Sequence, residues 1–137
     1  MNINDIMTRN VKIITSDQSI GDAAHAMAEA DCGAILVHEN DRLVGMITDR
    51  DIAIRAVAKG LSADTSVREV MSDNIRYCFE DEDIQHVAEN MAGNHLRRLP
   101  VMDRNKRLVG IVSLGNFASC TNTIAGATLL RGVAQAH

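Results

Sequence analysis

The sequence predicts an α+β fold made of two pseudo-twofold related β-α-β-β-α units packed through their sheets. The first observation behind this is an internal repeat: Met7 returns as Met71, Ile20 as Ile84, Met27 as Met91 and Val37 as Val101, each 64 positions on. After one extra turn residue, Leu43-Val44-Gly45 returns as Leu108-Val109-Gly110 at an offset of 65. The second is a pair of amphipathic helices, since Ile20, Ala23, Ala24, Met27 and Ile84, Val87, Ala88, Met91 both fall at i, i+3, i+4, i+7. The third is a pair of short β-like runs after each helix, "AILV" then "LVGMIT", and "LPV" then "LVGIVS". Each unit alone would leave one sheet face uncovered, and packing the two faces together resolves that.

Taken in order, the first helix opens on a capping pair, Ser19 with Asp22, and its second copy on Asp83. The closing helix of the first unit runs from about Asp49 to Lys59 and stops at Gly60, a residue suited to a left-handed cap. "LSADTS" at 61–66 is then the linker. Repeat one spans 1–62 and repeat two 63–120, leaving a tail, 121–137, that can form a short helix over "IAGATLLRGV". Pro100 cannot donate to a ladder, so its strand is expected at a sheet edge, or Pro100 near the strand's end. The recurring methionines Met7, Met27, Met71 and Met91 read as core.

Composition narrows function. A net charge of −4 and only one Tyr and two Phe leave little for nucleic acid, by attraction or by stacking. The start "MNINDIMTRN" lacks the features of a signal peptide and no apolar run approaches a membrane span, so the expected location is the cytoplasm. Cys32, Cys78 and Cys120 form no C-x-x-C pair, and His25, His38, His86, His95 and His137 show no ligand spacing, so no metal is expected.

These features together identify a resemblance. "DIMT", "SIGDAAHAM", "GAILV" and "LVGMITDRD", followed in the same order by "EVMSDN", "DIQHVAENM", "RRLPV" and "LVGIVS", resemble a stand-alone tandem CBS-domain protein, or Bateman module, over about residues 3–118. The resemblance implies a non-catalytic regulatory sensor that binds an adenosine-containing ligand (AMP, ADP, ATP, NAD or S-adenosylmethionine) in a cleft between repeats and signals to a partner protein. It implies no obligatory cofactor, and commonly a homodimer.

Residue by residue, the resemblance places the ribose on Thr48 and Asp51 of Gly45-Met46-Ile47-Thr48-Asp49-Arg50-Asp51. A carboxylate can accept from both hydroxyls of a diol. Helix N–H groups starting at Thr48 or Asp49 could face a phosphate, or Asp49 and Asp51 could simply complement that helix start. Arg97 and Arg98 are implied as phosphate ligands, with one of the two, Arg98 more readily than Arg97, alternatively a structural residue, and Arg50 either touches phosphate or faces solvent. Val11, Cys32 and Gly33 are implied to line the adenine. The second copy keeps a hydroxyl, Ser113, but has Asn116 in place of Asp, so that site is degenerate. Two other classes compete: a constitutive dimeric interaction domain with a decayed pocket, and an enzyme acting on the nucleotide, for which His95 is the available acid or base.

Overall fold

The computed structural model describes residues 1–120 and 123–134. His137 and the ends of the expected tail lie outside the described residues. The chain forms two compact units that are not the two halves of the sequence: one is Val11–Ile75, the other Met1–Asn10 together with the chain from Arg76 onward.

In Val11–Ile75 the sheet order is β1-β2-β3, with β1 (Ile13–Thr15) parallel to β2 (Ala34–Glu39) and β2 antiparallel to β3 (Arg42–Thr48). Asn40 and Asp41 turn this hairpin, both at positive φ (52° and 61°), the conformation that matches the twist of a two-residue β-turn. Helix α1 (Ile20–Ala30) is capped as its sequence predicts: the Asp22 N–H donates to Ser19 Oγ at 3.0 Å. Its next free donors, Ile20 N–H and Gly21 N–H, go to the linker carbonyls of Thr65 and Ala63. Ile20, Ala23 and Met27 pack on Ile35, Val37 and Ile47, and the core is closed by Val67 and Val70 from beyond the linker, both fully buried.

Residues 67–72 thus form a leader that belongs to the sheet of the preceding repeat. A 3₁₀ turn, Val67–Glu69, carries them, and Ser72 exchanges both backbone hydrogen bonds with Met46 at 2.9 and 3.0 Å. Gly45 lets them approach, since a β-carbon there would stand 2.5 Å from Met71 Sδ and 2.9 Å from the Ser72 carbonyl.

The other unit repeats the plan with β4 (Cys78–Phe79), α3 (Ile84–Gly93), β5 (Arg98–Met102) and β6 (Leu108–Ser113), in the order β4-β5-β6. Asp83 caps α3 through the Gln85 and His86 N–H groups. Its leader is the chain start: Ile3 and Met7 are buried, and Thr8 exchanges hydrogen bonds with Ile111. Gly110 plays the part of Gly45, with Thr8 O 2.7 Å from a would-be β-carbon. The longer turn at 103–107 is held by Asn105 and Arg107 N–H bonds to Asp103 Oδ1, and accounts for the change of offset from 64 to 65.

Pro100 corrects its expectation, because β5 is the middle strand. Ile111, its partner across β6, spends both backbone groups on Thr8, so the Pro100 nitrogen faces β4. At the matching place in the first unit the Leu36 N–H donates to Lys12 O. Proline removes that donor, and β4 begins only at Cys78 where β1 begins at Ile13.

Two more helices complete this unit, α4 (Leu114–Ser119) and α5 (Thr123–Ala134). The expected short helix is therefore a twelve-residue element, which buries Ala125, Leu129 and Val133 in the core with α3. Gly132 is seated so closely that a β-carbon would fall 2.4 Å from Ala92.

Candidate functional site

The stretch after β3 is helical from Asp49 to Lys59, as its sequence predicts, but of mixed pitch: α2 (Asp49–Asp51), a π-helix at Ile52–Ala56, and a 3₁₀ turn at Val57–Lys59 ended by Gly60 at φ 75°. π turns are rare and often lie at functional places. Thr48 and Asp51 form a reciprocal cap: Asp51 N–H donates to Thr48 Oγ1 and Thr48 N–H to Asp51 Oδ2, both at 3.0 Å. The Asp51 side chain is 15% exposed, and its other oxygen, Oδ1, lies 3.7 Å from Arg55 Nε.

The first N–H groups here are not free for a phosphate. Asp49 N–H bonds Gly33 O at 3.0 Å, Arg50 N–H bonds Asp49 Oδ1 at 2.9 Å, and Asp51 N–H is in the cap. The two carboxylates do complement this helix start, and Arg50 is exposed.

Gly33 and Thr48 come together at one end of the sheet. Ala34 pairs with Thr48, and extending the β1–β2 register by two places sets Val11 beside Ala34. Val11 is thus two strands from Thr48, about 10 Å at ordinary strand spacing. Cys32 is exposed, with its thiol 3.5 Å from Ala34 O.

In the other unit the equivalent positions carry different chemistry. Leu114 N–H bonds Arg97 O at 2.8 Å, as Asp49 bonds Gly33, and Arg98 pairs with Ser113. Asn116 accepts from Ser113 N–H at 2.8 Å and Ser113 Oγ at 2.9 Å, and its Nδ2 donates to Thr8 Oγ1 at 3.3 Å. A cleft of about 580 Å³ opens beside them, lined in part by Met1, Asp5, Ile6 and Gly115. Its charged side chain among the described lining residues is that of Asp5. Asp51 and the two arginines fall in different compact units.

His95 is engaged structurally, since at φ 56° its Nδ1 sits 2.9 Å from Gly132 O, at the end of α5. Burial and the nearby Glu82 push the Cys78 thiol up to about 12. Among the described residues no three His, Cys, Asp or Glu side chains are grouped to hold a metal ion, and no helix is long and apolar enough to cross a membrane. Sequence reasoning passed over Arg55, Thr8 and Ser72. The i,i+4 spacing of Asp51 and Arg55, and the 64-residue offset of Thr8 and Ser72, were the available signals.

Residues 3–57 and 67–120 each match the CBS domain. The chain belongs to the CBS domain family. It is 40% identical over 129 residues to CBS domain-containing protein YhcV of Bacillus subtilis, covering 93% of this chain and 91% of that protein. Among solved structures of CBS proteins, it resembles Hypoxic Response Protein I with two coordinated zinc ions, at 36% identity and TM-score 0.76 over 86% of this chain and 97% of that one. It also resembles the CBS domain pair of protein MJ0100 in complex with 5′-methylthioadenosine and S-adenosyl-L-methionine, at 29% identity and TM-score 0.77 over 86% and 93% of the two chains. Both halves of the CBS pair are therefore present, each with a three-stranded sheet and helices.

Proposed function

We propose that this CBS pair is a non-catalytic regulatory module that binds an adenosine-containing ligand and passes the bound state to a partner protein. The observation that carries the reading is the division of labour in the Asp51 carboxylate. Oδ2 is held in the cap by the Thr48 N–H, while Oδ1, 3.7 Å from Arg55 Nε, keeps lone-pair capacity to accept from a ribose diol. The complex of MJ0100 with two adenosine derivatives supports the ligand class.

In this reading Thr48 and Asp51 hold the ribose, Val11, Cys32 and Gly33 line the base, and Arg97, Arg98 and Arg50 supply cations for a phosphate. Guanidinium groups take on that role because the backbone donors at the start of α2 are already used. The Ser113–Asn116 site is the weaker one, since the amide oxygen already accepts two hydrogen bonds. Calorimetry with adenosine, AMP, ATP, NAD and S-adenosylmethionine tests this. One strong site per chain is expected, with Asp51→Ala weakening adenosine and AMP alike and Arg97→Ala weakening AMP far more. No binding of any of the five would sink the reading in favour of a constitutive interaction domain.

Self-association belongs to the same proposal. Ile54, Val57 and Leu61 are 51%, 67% and 42% exposed along and just beyond the helical run after Asp51, an apolar patch of the kind that marks interaction surfaces. Sedimentation at micromolar concentration should give a homodimer; a monomer at every concentration would remove this part.

A further inference from the structure

Resting on that reading of Asp51, the geometry points to Arg55 as the positioning residue of the diol site, and as the link between that site and the leader at 67–72. Arg55 Nε lies 3.7 Å from Asp51 Oδ1, while its Nη1 donates to the carbonyls of Val70 and Met71, each at 3.3 Å. With Oδ2 held by the Thr48 N–H and Oδ1 facing the Arg55 guanidinium, a rotation that misaligned one oxygen would disturb the other. A preoriented acceptor binds a diol without first losing its own freedom. The two carbonyls sit just before Ser72, which is bonded in both directions to Met46 of β3. A change at Asp51 therefore reaches the leader through one side chain.

Two comparisons inside the chain favour a functional link over incidental contact. First, the other repeat makes the same connection with different atoms: Asn116, counterpart of Asp51, donates directly to Thr8, counterpart of Ser72. Second, the arginine accompanies the carboxylate. At the offset of 65 residues, Asp51 and Arg55 correspond to Asn116 and Cys120, so charge is matched to charge in one repeat and absent from both positions in the other. The π-helix at Ile52–Ala56 lies between Asp51 and the next regular turn and contains Arg55 itself.

The test compares adenosine with 2′,3′-dideoxyadenosine, which lacks the diol, by calorimetry on the full chain. The unaltered protein should prefer adenosine by about 10- to 100-fold, the range of charge-assisted hydrogen bonds. Arg55→Ala should lower adenosine affinity at least 5-fold (roughly, given the same range) while leaving dideoxyadenosine within about 2-fold, so that the preference collapses. Arg55→Lys should fall between, and it decides the matter should the alanine variant fail to fold. Hydrogen exchange supplies the second readout: adenosine should slow exchange of the Ser72 amide in the unaltered protein and not in Arg55→Ala. Equal loss of both nucleosides would reduce Arg55 to a general structural residue and overturn the inference, as would an undiminished preference. If Asp51→Ala keeps the preference as well, it is the diol reading of Asp51 that fails, and the two failures are thereby told apart.

Discussion

Asp49 Oδ2 stands 2.9 Å from the point that a β-carbon on Gly33 would occupy. Glycine and carboxylate share one space, and in the second repeat the pair is replaced as a unit by Arg97 and Leu114, joined by the same backbone hydrogen bond. The obstruction is an exposed side-chain carboxylate rather than backbone, and displacing it strains only its exposed Oδ1 bond to the Arg50 N–H. Gly33→Ala should therefore change stability by no more than about 0.5 kcal/mol. Gly45→Ala and Gly110→Ala meet leader backbone, the Ser72 and Thr8 carbonyls, and should each destabilise by about 1–3 kcal/mol. Urea midpoints of the three variants give the comparison, and similar losses for all three would contradict it.

Removing Asp51 should act on both folding and binding. Asp51→Ala deletes one half of a reciprocal cap and is expected to lower stability by about 0.5–2 kcal/mol, with adenosine affinity reduced by about 1.5–3 kcal/mol. Asn116→Ala deletes the equivalent cap and the bond to Thr8, and should lower stability similarly while leaving the strong adenosine site intact. Thermal melts and calorimetry on the same samples separate the two; loss of adenosine binding in Asn116→Ala would count against a single strong site.

The thiols should differ sharply. Cys32 is exposed and should react promptly with an aromatic disulfide reagent under mildly alkaline conditions, whereas buried Cys78, with its thiol pushed up to about 12, should react only on unfolding. The same shift has a sign for stability. Between the ordinary value of 9.0 and about 12 the folded chain keeps its proton while the unfolded chain loses it. The contribution is therefore complete below pH 9.0 and is lost as pH rises toward 12. Cys78→Ser should flatten that alkaline decline; an unchanged slope would assign it to other groups.

Helix α5 gives the fourth prediction. Alanine normally outranks glycine inside a helix by about 1 kcal/mol. At Gly132 the added carbon would lie 2.4 Å from Ala92 Cα and Cβ and 2.7 Å from its carbonyl, so overlap outweighs propensity. Gly132→Ala should destabilise by about 1–3 kcal/mol and speed amide exchange along α5. A stabilised variant would mean that α5 docks more loosely than its contacts imply.

Much of this architecture was legible in the sequence because its signals are local. Ser19, Asp22 and Asp83 cap the helices they precede, Gly60 ends the run from Asp49, and the i, i+3, i+4, i+7 residues of α1 and α3 face the core, save Ala24. What escaped depends on partners distant in the chain. The Pro100 strand lies in the middle of its sheet with its nitrogen turned to β4, a facing that follows from the Ile111 backbone bonding to Thr8 over a hundred residues away. The π-helix follows no local motif, and the guanidinium of Arg55 finds carbonyls fifteen and sixteen positions on. At the candidate site, a helix start at Thr48 or Asp49 was readable, but the reciprocal cap of Thr48 with Asp51 and the use of the first helix N–H groups by Gly33, Asp49 and Thr48 were not.

The crossed leaders make the two repeats mutually dependent in a way that duplication alone would not. A chain cut at residue 63 would yield one fragment without Val67 and Val70 and another without Ile3 and Met7, each missing buried side chains that the other carries. Such fragments should be poor folders separately and complement one another when mixed. Residues 11–75, by contrast, contain a sheet, its helix and its leader in one uninterrupted stretch. A permuted chain that opens at residue 76 and joins its old ends would keep each unit's parts together. Inheritance of the interlocked order means that neither repeat can be discarded without taking part of the other's interior with it.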